Sequence, residues 1–173
     1  FGSGSFVLNT PLLDNGLLSA RFVAFANNSD GFVNVFSDPG AGYLSERTKG
    51  ARLSFRSKPT TNLTFDLQIS RTDIEFDATN FTTSVPLLEQ GQYVTFADPA
   101  GVDTNTDTFL RFEAQYESNI GLFRSNTGLR MSETFFDLDG DDASTVDLVE
   151  ARVFLSTRSI SQDFTFEGKR LRR

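Results

Sequence analysis

Alternation of apolar and polar residues with a period of two runs through much of this chain and most limits the folds available to it. The clearest case is "TNLTFDLQIS" (61–70), where Leu63, Phe65, Leu67 and Ile69 alternate with polar residues. Side chains at i and i+2 share one face of a β-strand, so this pattern predicts a strand with one buried and one solvated face. Similar alternation recurs in four other segments, at 51–57, 108–117, 146–156 and 160–168.

Two further segments, 17–26 and 31–36, are apolar on both faces and are typical of central or covered strands. The sequence "NNSDG" (27–31) between them predicts a hairpin turn, because Asp-Gly readily adopts the positive φ of such turns. Other turn signals include "SNTG" (125–128). The spacing predicts roughly nine to eleven short strands in a jelly-roll-like antiparallel β-sandwich, an all-β fold.

Composition limits the functions that this fold can have. Cys and His are both absent, which excludes disulfides, thiol nucleophiles and His-dependent triads. The net charge of −7 argues against a nucleic-acid partner, and no apolar run approaches the ~20 residues of a membrane helix, so we expect no membrane insertion. Glycoside hydrolysis by Glu113, Glu117 or Glu150 is disfavoured because Trp is absent. We therefore expect a non-enzymatic protein.

One acidic stretch, "FFDLDGDDASTVD", resembles a calcium loop, since several carboxylates at alternate positions suit an ion that takes 6–8 oxygen ligands. Its candidate ligands are Asp137, Asp139, Asp141 and Asp142. The EF-hand spacing fails, because Asp142 stands where Gly is required and Leu148 where Glu is required. The alternative is a solvated Asp-Gly turn, so calcium is the one possible cofactor. Asp98, Asp103 and Asp107 form a looser acidic set.

The chain begins with Phe1 rather than Met, which we interpret as the result of signal-peptide removal. A secreted, extracellular or cell-surface location follows as an expectation. Three Asn-x-Ser/Thr sequons, at Asn27, Asn62 and Asn80, are glycosylation candidates. The last residues, "KRLRR" (169–173), form a basic tail on an acidic body.

The opening segment is the candidate functional element. It has a flexible Gly-Ser lead and then apolar residues, as expected of a strand that completes a neighbour's sheet. The donor residues of this hypothesis are Gly2, Ser3, Gly4, Ser5, Phe6, Val7, Leu8, Leu12 and Leu13. The alternative is an edge strand of the chain's own domain. The predicted organisation is a donor-type strand (1–13), a β-sandwich (14–168) and the basic tail (169–173).

The stretches "FGSGSF" (1–6) and "GFVNVFSDPGAGYL" (31–44) resemble secreted archaeal β-proteins related to the TasA/camelysin-type matrix fibre proteins and to archaeal bundling pili. The resemblance implies a jelly-roll subunit that polymerises with copies of itself by donating its N-terminal strand. We expect an extracellular filament subunit whose acceptor groove is lined by Phe and Leu of 61–70 and 108–116. The alternatives are a viral or phage capsid or tail protein and a carbohydrate-binding β-sandwich module.

Overall fold

The computed structural model describes residues 1–13, 16–31, 33–35, 42–43, 45–77, 94–95, 102–139 and 150–169. Ten strands lie in these ranges, and no α-helix does. The strands are β1 (Gly2–Pro11), β2 (Leu18–Ser29), β3 (Val33–Val35), β4 (Gly42–Tyr43), β5 (Glu46–Thr60), β6 (Leu63–Asp77), β7 (Val94–Thr95), β8 (Val102–Glu117), β9 (Gly121–Asp139) and β10 (Glu150–Gly168).

Seven of these strands form one antiparallel sheet, in the order β1-β2-β5-β6-β8-β9-β10, and the short strands form a separate sheet in the order β4-β3-β7. The all-β prediction is confirmed. Neighbours in the large sheet follow chain order, which makes it a meander, whereas a jelly roll needs Greek-key crossings. The described strands show one large layer, so the sandwich arrangement is not confirmed.

The connections differ in length at the two ends of the large sheet. At the turn end, β5 passes to β6 through Thr61 and Asn62, and β8 passes to β9 through 118–120. There the Ser118 N–H donates to the Gly121 carbonyl at 2.8 Å, and the Gly121 N–H donates to Ser118 Oγ at 3.2 Å. At the opposite end, which we call the loop end, the chain leaves β2, β6 and β9 for longer connections.

The hairpin turn predicted at 27–31 is wrong. Asn27 and Asn28 continue β2, where they pair with Ser3 and Gly2 of β1 on one side and with Thr48 and Arg47 of β5 on the other. A ladder on both sides satisfies the backbone in an extended conformation, and this outweighs the local preference of Asn for turns. The strand β3 consequently pairs with β4 and β7 instead of β2.

The main strands are longer than the short strands that the turn signals indicate. The predicted break at 125–128 lies inside β9, a strand of 19 residues that pairs with β8 and with β10. Arg111 Nε of β8 donates to Asn126 Oδ1 at 3.0 Å, so the Asn side chain bonds across the sheet instead of to a local turn. Gly128 faces Arg111 on β8 and Ser161 on β10.

Close packing at Gly121 gives a first prediction. A Cβ at this position would overlap the Glu167 carbonyl oxygen and lie 2.5 Å from Phe166 Cε2, whereas a Cβ on Gly4 has nothing within 4 Å. We expect Gly121→Ala to lower the free energy of unfolding by about 1–3 kcal/mol through overpacking. The control, Gly4→Ala, should change it by no more than about 0.5 kcal/mol. Urea denaturation of both variants measures the difference, and equal midpoints would contradict the packing.

Candidate assembly surfaces

The register of the large sheet assigns each side chain to one of two faces, because residues opposite each other on paired strands point to the same side. The aromatic face carries the even-numbered residues of β1, β2, β8 and β10 and the odd-numbered residues of β5, β6 and β9. The remaining residues of these strands form the ionic face. Both names describe the side chains that dominate each face.

One row of apolar side chains crosses the whole aromatic face, with one residue from each of the seven strands. The row consists of Leu8, Phe22, Leu53, Ile69, Leu110, Leu129 and Ile160. None of these side chains is buried: Ile69 is 42% exposed and Ile160 is 70% exposed. Such a continuous apolar row is usual in the core between two layers, and here it faces outward.

Aromatic rings add to the apolar surface of this face. Phe123 and Phe166 have ring centroids 4.6 Å apart, and Tyr116 lies 6.5 Å from Phe123. Together with Leu63 and Phe164 they line an apolar groove of about 330 Å³ at the turn end. These ring contacts connect neighbouring strands within the face, so they leave the outer side of each ring uncovered.

Toward the loop end the aromatic face becomes charged. Arg47, Lys49, Asp73 and Glu75 line a hollow of about 640 Å³ next to β1. Asp73 accepts hydrogen bonds from Arg71 Nε at 3.1 Å and from Thr106 Oγ1 at 2.9 Å. The Arg71 hydrogen bond is the main reason that the pKa of Asp73 lies below its usual value. The aromatic face therefore has an apolar half at the turn end and a charged half at the loop end.

The ionic face carries cross-strand ion pairs. Arg56 donates to Asp66 through Nε at 2.7 Å and Nη2 at 3.1 Å, and Arg130 donates to Asp107 at 2.9 Å and 3.1 Å. The hydrogen bond from Arg130 lowers the pKa of Asp107, and the hydrogen bond to Asp66 raises the pKa of Arg56. Paired charges of this kind suit contact with water, so the two faces differ sharply in polarity at the turn end.

Both edges of the large sheet are open among the residues that the structure describes. Every residue of β1 except Thr10 is exposed, and of the described strands β1 pairs with β2 alone. At the other edge, β9 is the single described partner of β10, whose residues from Ala151 onward are exposed. An open edge presents unpaired backbone N–H and C=O groups to which another strand can add.

The structure places the predicted donor residues at one of these edges. Gly2 to Leu8 lie in β1, where Phe6 packs on Phe22 with ring centroids 6.3 Å apart. Leu12 and Leu13 follow β1 and are exposed. The predicted acceptor segments, 61–70 and 108–116, lie in β6 and β8, which have paired neighbours on both sides. The strand whose edge accepts β1 is instead β2, which the sequence pattern did not single out.

Of the predicted calcium ligands, only Asp137 has a described side chain, since Asp139 is described in its backbone alone and Asp141 and Asp142 lie outside the described residues. The Asp137 carboxylate lies 3.6 Å from Arg152 Nε, and its backbone N–H donates to Asp103 Oδ1 at 2.9 Å. Within the described part of the chain, no three acidic side chains converge as a metal site. The calcium loop stays a prediction.

The fully buried carboxylate of Asp103 belongs to the loop end of the ionic face. The sequence placed it only in a loose acidic set, because the four residues that follow it, 104–107, are polar and give no sign of burial.

The structure describes two of the three glycosylation candidates and the first residue of the basic tail. Asn62 is exposed in the turn before β6, and Asn27 is half-buried in β2. Asn80 and residues 170–173 lie outside the described residues. Lys169, the first tail residue, donates to Glu117 Oε1 at 2.8 Å, and this hydrogen bond lowers the pKa of Glu117.

Comparison of the chain with protein-family models, with curated proteins and with solved structures finds no significant match. The described residues include no helix that is long and apolar enough to cross a membrane. A function for the chain therefore has to be inferred from the faces and edges described above.

The Asp107–Arg130 pair predicts an acid-dependent part of the stability. Because the folded-state pKa of Asp107 is lowered, its contribution is complete above the unfolded-state pKa of about 3.9 and is lost as the pH falls through the folded-state value. We expect Asp107→Asn to destabilise the protein at neutral pH and to approach the unchanged chain in stability as the pH falls below the unfolded-state pKa. Urea denaturation across this range measures the effect. The control, Asp163→Asn, replaces an exposed aspartate of β10. Its difference in stability from the unchanged chain should vary less with pH.

Proposed function

We propose that the chain is a non-enzymatic structural subunit of an extracellular filament, and that it polymerises by donating β1 to β2 of the next copy. One observation carries the proposal: β1 is exposed along almost its whole length and pairs with a single strand at an open edge. A strand in this position can leave without disturbing the other pairings of the sheet. The resemblance to fibre proteins that donate an N-terminal strand points the same way.

Exchange of β1 retains the interactions that hold it. Ten residues of β1 lie opposite Ser19–Asn28, with Phe6 opposite Ala24 and Leu8 opposite Phe22. The β1 strand of another copy makes the same ladder and the same side-chain contacts with β2. The cost of exchange is then limited to opening the connection and to bringing copies together, as in domain swapping.

The connection between β1 and β2 provides the hinge. It is held by hydrogen bonds from the Leu12 and Leu13 N–H groups to the Leu18 carbonyl, at 2.9 and 3.3 Å. Gly16 has φ of +70°, which a glycine adopts readily. Six residues (12–17) separate the strands and extend to at most about 20 Å, enough to carry β1 to a neighbour.

Strand donation of this kind produces an open filament. The donor strand and the acceptor edge are different surfaces, so each copy gives β1 to the next and receives β1 from the previous one. Such head-to-tail contacts need not close into a ring. The absence of Cys from the chain means that the filament gains its strength from backbone pairing rather than from disulfides.

A disulfide that fixes β1 within its own chain tests the proposal. Val7 and Val23 are opposite each other in the β1–β2 register, at a separation typical of disulfides. We expect the oxidised Val7→Cys/Val23→Cys variant to remain unpolymerised, and its reduced form to assemble like the unchanged chain. Light scattering and negative-stain electron microscopy measure polymerisation. The oxidised variant should form no filaments, because it cannot release β1.

The single variants provide the control. A mixture of Val7→Cys chains with Val23→Cys chains can form the same disulfide only between copies, so oxidation of the assembled mixture should produce cross-linked dimers. Deletion of residues 1–13 should also prevent polymerisation. Filaments of the oxidised double variant would contradict strand donation, and closed shells would favour the capsid alternative.

A further inference from the structure

The apolar half of the aromatic face is large enough to form an interface. Six spacings of about 4.8 Å between the seven strands make it about 29 Å wide, and the rows from Ile69 to Leu63 extend about 20 Å along the strands. Polar side chains, Ser125, Thr127 and Gln162 among them, lie between the apolar ones. The footprint of about 600 Å² reaches the lower end of the ~600–1,000 Å² that each partner contributes to a stable complex.

We propose that a second copy of the chain covers the apolar half of the aromatic face, so that two sheets pack face to face as a sandwich. The partner is another copy because the face matches itself under a two-fold axis that runs parallel to the strands. This operation places the apolar half of one copy on the apolar half of the other. An in-plane axis that crosses the strands at mid-length would bury Arg47 and Lys49 against apolar residues, which is costly.

The same symmetry identifies a contact that lies on the two-fold axis of the interface. The strand β6 is the fourth of the seven strands, so the two-fold axis places it over the β6 strand of the second copy. Ile69 lies on β6 within the apolar row and therefore comes next to its own counterpart. The neighbouring residues Gln68 and Ser70 point to the ionic face, away from the second copy.

This pairing uses the face of the sheet and is independent of the strand donation at its edge. The two are separated by working with the oxidised Val7→Cys/Val23→Cys chain, in which β1 cannot be exchanged. Sedimentation velocity of this chain should show a dimer with twice the chain mass. Adding Ile69→Lys should raise the dimer dissociation constant by about 100-fold, because each interface would bury an unpaired charge.

The matched control is Ser70→Lys in the same oxidised chain, which should remain dimeric. Ile69 is 42% exposed within one copy, so we expect both variants to keep the circular dichroism spectrum of the parent. A monomer with Ile69→Lys and a dimer with Ser70→Lys support the proposal. An effect of equal size in both variants would overturn it.

A cross-link tests the geometry in the otherwise cysteine-free chain. Sheets pack about 10 Å apart, so a short bismaleimide should join two Ile69→Cys chains and should not join two Gln68→Cys chains. If the chain sediments only as a monomer, the proposal is wrong, and the reactivity of an introduced thiol then shows why. If the thiol introduced by Ile69→Cys then reacts freely with a maleimide, the face is bare; if that thiol is protected, another segment of the same chain covers it.

Discussion

The pairing register of the seven-stranded sheet is the constraint on which the rest of this structure depends. Each strand is paired along most of its length, and opposite residues share a face. A slip of one residue in any pair would move that strand's apolar side chains to the other face. Only the observed register brings Leu53, Ile69 and Leu110 into one row, so the register creates the apolar surface as well as the sheet.

A single layer cannot bury that surface. Within the described part of the chain, extensive contacts are made between neighbouring strands of the same sheet, and aromatic rings such as Phe65 and Phe112 touch side by side. Side-by-side contacts bury the flanks of these side chains and leave their outer ends in water. Stable β-domains usually solve this with a second layer about 10 Å away. The sandwich indicated by the sequence is therefore compatible with this sheet if a second copy supplies the other layer.

Much of the local structure could be predicted from the sequence. The alternation in 61–70 placed Leu63, Phe65, Leu67 and Ile69 on one face, and the register confirms this. The same reasoning worked for the alternating residues of 51–57 and 108–117. It succeeded because side chains that alternate in polarity report directly on the two faces of a strand.

The arrangement of strands could not be predicted in the same way. Val153 and Leu155 point to the ionic face, whereas Ile160 and Phe164 of the same strand point to the aromatic face. The sequence shows these as two alternating segments and does not reveal that one strand of 19 residues contains both. Similarly, the turn preference of Asn27 and Asn28 was outweighed by pairing with β1 and β5, which are distant in sequence. Pairing partners, unlike faces, are set by contacts that a local pattern does not contain.

The two proposed contacts use different surfaces of the sheet, and together they limit the thickness of the assembly. In the proposed assembly, donation of β1 joins successive copies at the β1–β2 edge of the sheet, and pairing of aromatic faces adds one layer. After that pairing, the outer surfaces are the ionic faces, which carry pairs such as Arg56–Asp66 and Arg130–Asp107 at 2.7 and 2.9 Å. Removing these charges from water can cost more than their attraction returns, so the turn end of the ionic face disfavours a third layer. The two proposals together therefore describe an assembly two sheets thick, built from one largely apolar half-face and one exchangeable edge.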